Sequence, residues 1–78
     1  MAPPDQPQPA LGKALRQLRL EKGVSQEALA YEAGVTSGTL SLIERGRSNP
    51  TWGTVKGIAA ALSTTIEEVA ALSLVFEK

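Results

Sequence analysis

Apolar residues recur along this chain at three- and four-residue intervals, and nowhere alternate with period two over a useful length. The spacing therefore predicts helices and no sheet. Leu11, Ala14, Leu15 and Leu18 predict a first helix from about Leu11 to Lys22, with Gly23 as its stop. Ser25 is a good N-cap for a second helix, which turns Leu29, Ala30 and Ala33 inward and ends at Gly34. Thr36 caps a third, with Leu40 and Ile43 as its buried stripe and Gly46 as its stop. The run Arg47-Ser48-Asn49-Pro50 reads as a loop. Thr51 caps a fourth helix that buries Val55, Ile58, Ala59 and Leu62; Thr65 caps a fifth with Ile66, Val69 and Leu72 inward. The fold class is all-α, with five short helices.

Residues 1–10 break the pattern. They hold four of the five prolines and nothing apolar larger than Met1. Such a segment buries too little surface to order itself, so a flexible tail is expected. Residues 11–78 then form a single domain. The tail has no Lys or Arg, which argues against an arm that wraps nucleic acid.

At 78 residues the chain holds one domain at most. The lack of Cys and His removes zinc sites, disulfide scaffolds and Cys or His catalysis. No apolar run approaches the roughly 18 residues of a membrane span. The start lacks the basic and apolar regions of a signal peptide, so a cytoplasmic protein is expected. The carboxylates are scattered, and adjacent Glu67 and Glu68 point in different directions on a helix. Gly46 and Gly53 do not make a phosphate-binding loop. No enzyme is expected, and no metal, cofactor or small-molecule ligand.

The formal net charge is +0, a mild objection to nucleic-acid binding. Its distribution changes the picture. Residues 11–57 carry seven Lys and Arg against four Glu, a net +3. Residues 58–78 carry Lys78 against Glu67, Glu68 and Glu77, a net −2, and Asp5 adds −1. The first four helices are the end that should face phosphate.

Residues 25–45 form one unit: a helix ending at Gly34, a three-residue turn, then a second helix. Ala30 is small where two crossing helices meet, Gly34 supplies the left-handed turn, and Val35 plugs the angle between the helices. This is the helix-turn-helix pattern, whose second helix can lie in a DNA major groove. The segments Ser25-Gln26-Glu27-Ala28-Leu29-Ala30, Ala33-Gly34-Val35 and Leu40-Ser41-Leu42-Ile43-Glu44-Arg45-Gly46-Arg47-Ser48-Asn49-Pro50 sharpen it. With Ile58-Ala59-Ala60-Ala61-Leu62 and Ile66-Glu67-Glu68-Val69, they resemble the lambda-repressor-like helix-turn-helix family, also called the XRE type. The resemblance covers roughly residues 11–72.

The resemblance implies a homodimer on a roughly palindromic double-stranded DNA operator, with the third helix in the major groove. The base-reading positions would be Thr36, Ser37, Gly38, Thr39, Ser41, Leu42 and Arg45. Hydroxyls there reach phosphates or bases, and Thr or Leu methyls can meet thymine methyls. Family members often carry Arg, Gln or Asn at the start of this helix; Ser37 and Gly38 stand there instead. Specificity would then come from Arg45, Thr39, Ser41 and DNA shape. Gly38 either lets the backbone approach closely or is merely tolerated near a helix start. Gln26 matches a family position that bonds the DNA backbone. Arg47, Ser48, Asn49 and Thr51 would form a second phosphate cluster with the free amides of the fourth helix; a solvated loop charge is the plainer role for Arg47. Arg19 and Glu44 match a partly buried structural ion pair.

Trp52 is expected at the edge of the core with its indole N–H at the surface, the alternative being a stacking role against bases. Ile66, Val69, Leu72, Leu74, Val75 and Phe76 are expected to bury surface across a two-fold dimer interface, the alternative being that Leu74, Val75 and Phe76 fold back on their own domain. From another class, the same fold could serve as a protein-interaction module of the antitoxin or coactivator kind. Phage-type repressors, restriction–modification controllers and small autoregulators all remain open as subclasses.

Overall fold

The computed structural model describes residues 8–77 and contains five helices, α1 (Pro9–Lys22), α2 (Gln26–Ala33), α3 (Ser37–Glu44), α4 (Trp52–Ala61) and α5 (Ile66–Phe76). No strand occurs among the described residues. The anticipated tail falls mostly at residues 1–7, outside the described residues. Its inner end needs correction: Pro9 and Ala10 belong to α1, which starts two residues before Leu11. Proline suits this position, because the first N–H of a helix has no intrahelical partner anyway and the ring presets φ. The start is tied down by Gln8, whose backbone N–H donates to the carbonyl of Ser48 (3.3 Å).

The other four helices begin where the sequence places them. Ser25, Thr36, Thr51 and Thr65 are extended N-caps, each hydroxyl accepting from the amide three residues on, at 3.0 to 3.2 Å. At Gly34 the chain takes φ 76°, and the N–H of Val35 reaches back to the carbonyl of Ala30 (3.0 Å), closing α2 and starting the turn into α3. The end of α4 has no such glycine. There Ser63 takes the left-handed conformation itself, at φ 56°.

Leu15, Leu29, Leu40, Ile43, Ile58, Leu62 and Val69 are the large, fully buried side chains of one core. Each helix contributes, so none of these short amphipathic segments is stable alone and all are stabilised together. The long helices α1 and α5 pack on each other, α2 packs on α4, and α3 lies against α1 and α2. Gly12 allows the α1–α3 approach: a Cβ there would run into the carbonyl oxygen of Ile43. The inner face of α3 is thereby clamped while its outer face is left to solvent. Among the described residues no single helix is long and apolar enough to cross a membrane.

Candidate nucleic-acid interface

The geometry of α3 divides its eight residues cleanly. Leu40, Ile43 and Glu44 are buried, Ser37, Gly38, Thr39 and Leu42 are exposed and Ser41 is half-buried; Arg45, the C-cap that follows, is exposed as well. Leu42 is 43% exposed although it is apolar, so its methyls are offered outward. Gly38 and Leu42 are one turn apart on that surface. A Cβ added at Gly38 would meet only Thr36 Oγ1, at 3.9 Å, so nothing in the fold requires glycine there. The Arg45 side chain folds back along the helix, its Nε donating to the carbonyl of Ser41 at 3.4 Å.

Two of the expected DNA contacts, one base reader and one phosphate contact, are occupied. Thr36 Oγ1 accepts from the amide of Thr39 (3.0 Å) and donates to Thr39 Oγ1 (2.9 Å). Its hydroxyl is engaged in the cap, and Thr39, which receives that proton, keeps its own hydroxyl hydrogen for an outside acceptor. Thr51 is likewise engaged at the start of α4, with the amide and the hydroxyl of Thr54 (3.2 and 2.9 Å).

Gln26 is the first residue of α2 and is half-buried. Its Nε2 donates to Glu44 Oε1 (2.9 Å), a bond between the start of α2 and the end of α3 that the sequence did not disclose. Arg19 donates to the same carboxylate through Nε (2.7 Å) and Nη2 (3.1 Å), and through Nη1 to the carbonyl of Val24 (2.9 Å). The expected Arg19–Glu44 pair is thus present, bidentate and buried, with side-chain exposures of 10% and 1%. It cancels two formal charges inside the fold. Of the loop residues, Arg47 is exposed while Ser48 and Asn49 are half-buried.

The residues expected at a dimer interface do not share one surface. Val69 is 2% exposed and belongs to the domain's own core, so it has no surface left for a partner. Ile66 also packs against that core. Its period matched a buried stripe, and a single helix of this apolar content cannot reveal which stripe is internal. Leu72 and Phe76 are half-buried, and Leu74 and Val75 are 62% and 61% exposed. Leu74-Val75-Phe76 continues α5, which packs on α1, and of the three only Phe76 is partly buried against the domain itself. Trp52 also departs from expectation. It is 64% exposed, on the rim of a groove of about 420 Å³ that Leu11, Pro50, Ile66 and Leu74 help to line. Standing at the first position of α4, it has no helix turn before it to pack beneath.

A capped helix pair with a glycine turn, its second helix clamped on one face and bare on the other, defines the helix-turn-helix class of DNA-binding domain. Comparison with known proteins agrees. Residues 10–72 match the family model of the helix-turn-helix domain. The chain is 39% identical over 59 residues to the uncharacterized HTH-type transcriptional regulator y4dJ of Sinorhizobium fredii, covering 76% of this chain and 77% of that protein. It spans about half the length (44 to 46%) of several other curated regulators it matches. The crystal structure of the clp gene regulator ClgR from Corynebacterium glutamicum superposes with a TM-score of 0.90 at 32% identity, covering 100% of both chains. The restriction–modification controller protein C.Esp1396I, solved as a tetramer with its natural 35 base-pair operator, superposes with a TM-score of 0.80 at 26% identity, over 87% of this chain and 90% of that one. The chain belongs to the lambda-repressor-like, XRE-type helix-turn-helix transcriptional regulators.

Proposed function

We propose that this protein is a sequence-specific transcriptional regulator that binds a roughly palindromic duplex-DNA operator as a homodimer, with α3 in the major groove. The observation that carries the reading is the bare outer face of α3: Ser37, Gly38, Thr39, Leu42 and Arg45 project together from a helix whose other side is locked into the core. In support, C.Esp1396I is a structural relative that engages its operator. Thr39 offers a hydroxyl donor to base-edge acceptors, Leu42 a methyl surface to thymine, and Arg45 a guanidinium. Gln26, Arg47, Ser48 and Asn49 flank this face and would meet phosphates; Thr36 and Thr51 support it mainly as caps. The chemistry of the site calls for no cofactor and no catalytic step. A role on duplex DNA carries the cytoplasmic expectation with it.

Selection of bound sites from random duplexes would give the operator and the half-site spacing, expected at roughly one helical turn, about 34–36 Å, for a dimer. With that operator, Arg47→Ala should weaken binding to all sequences alike and reduce the slope of log affinity against log salt by about 1. Thr39→Ala and Leu42→Ala should instead alter base preference at defined positions. Absence of salt-sensitive binding to any duplex at low ionic strength would sink the proposal and favour a protein-interaction role for the fold.

A further inference from the structure

A buried carboxylate stands behind the residue at the head of α2. Glu44 Oε2 accepts from Arg19 Nε (2.7 Å), while Oε1 accepts from both Arg19 Nη2 (3.1 Å) and Gln26 Nε2 (2.9 Å). An ionised carboxylate can only accept hydrogen bonds. The amide nitrogen of Gln26, and not its oxygen, must therefore face Glu44, and the side chain is fixed in that sense. One Nε2 hydrogen is spent on Glu44. The other remains on a half-buried residue at the first position of α2, beside backbone amides that have no helical partner.

From this geometry we infer that Glu44 is a positioning residue for DNA binding: it holds Gln26 as a pre-oriented N–H donor to a DNA phosphate. The inference rests on the duplex-DNA reading above. A free glutamine would have to be ordered on binding into the one orientation that turns its N–H to the phosphate; the carboxylate removes that cost beforehand. Because Glu44 ends α3 and Gln26 begins α2, the same bond also fixes the phosphate contact at a set offset from the recognition helix. Sequence could not show this, since the two residues are 18 positions apart and the resemblance implies separate roles for them.

The test uses the sign of an electrostatic effect. Glu44→Gln removes a negative charge and leaves Arg19 unpaired, so charge alone would tighten binding to DNA. Positioning demands the opposite. Affinities of the full chain for a fluorescein-labelled 30-base-pair duplex would be measured at several salt concentrations, with folding of each variant checked by circular dichroism. Gln26→Ala is expected to weaken binding about tenfold, as loss of a hydrogen bond to a charged group does, with an unchanged salt slope because no cation is lost. Glu44→Gln is expected to weaken it too, and to have no weakening effect in the Gln26→Ala background. If Glu44→Gln fails to fold, the wild-type protein still decides by NMR: before DNA is added, one proton of the Gln26 side-chain amide should resonate well away from its free-glutamine position and exchange with water more slowly than in a free glutamine. Gln26 amide protons at their free-glutamine positions and exchanging with water at the free rate would overturn the inference, as would unchanged or tighter binding by folded Glu44→Gln. Wild-type protein that binds duplex DNA while Gln26→Ala binds equally well overturns this inference alone; wild-type protein with no affinity for duplex DNA overturns the DNA reading and this inference with it.

Discussion

Gly12 is the residue on which the domain's internal spacing rests most directly. Inside a helix, alanine ordinarily outperforms glycine by about 0.5–1 kcal/mol. Here an added Cβ would overlap the carbonyl oxygen of Ile43 and crowd that of Glu44 (3.0 Å), both backbone atoms that can yield only if α1 and α3 move apart. Gly12→Ala is accordingly expected to lower stability by about 1–3 kcal/mol, the usual range for overpacking, read from urea denaturation. A variant as stable as the parent would show that this crossing has slack. The sequence contained the hint: Gly12, Leu15 and Arg19 share one stripe of α1, all three facing inward. A search for apolar periodicity passes over glycine because it contributes no hydrophobic signal. Ser63 was illegible for a related reason, since its left-handed φ is imposed by the turn from α4 to α5 and not announced by a glycine.

Among the helices, the Arg19–Glu44 pair joins α1 to the end of α3 and, through Gln26, to the start of α2. Removing one partner strands the other in a buried site. Arg19→Met should therefore cost about 3–5 kcal/mol of stability, whereas the double variant Arg19→Met with Glu44→Leu should recover much of that loss. Thermal melts of the two would decide the matter, and a double variant no more stable than the single would contradict it. At this scale the sequence was highly legible. All four Ser and Thr caps fell where hydroxyl chemistry placed them, because a cap is a local event over three residues. The start of α1 was less legible, as four prolines in ten residues masked the one that suits the first position of a helix.

For the whole molecule the open quantity is association. α5 carries few polar side chains besides Glu67 and Glu68 and leaves Leu74 and Val75 exposed, while Trp52 and Leu74 line one groove. The edge containing Trp52 and Leu74 adjoins the loop that leaves α3, so a two-fold contact there would hold two recognition helices at a fixed spacing. In the proposed homodimer, with this edge as its interface, Leu74→Glu should give monomers in sedimentation velocity, with operator affinity lowered because each head then engages a half-site alone. Persistence of the dimer would move the interface away from this edge. Arg19 and Glu44 cancel inside the fold and add nothing to the attraction of DNA, so in the proposed homodimer the coupling of two heads carries more of the affinity.

Sequence alone determined the helices, their caps, the glycine turn between α2 and α3 and the family to which they belong, because each depends on neighbours within a few residues or on a contiguous motif. Tertiary structure decided which apolar residues of α5 are core and which are surface, that Trp52 lies outside, that Gly12 lets α1 approach α3, and that Gln26 leans on Glu44. Those outcomes depend on groups far apart in the chain meeting in space. A side chain's period along a helix says which stripe it occupies but not what the stripe will meet.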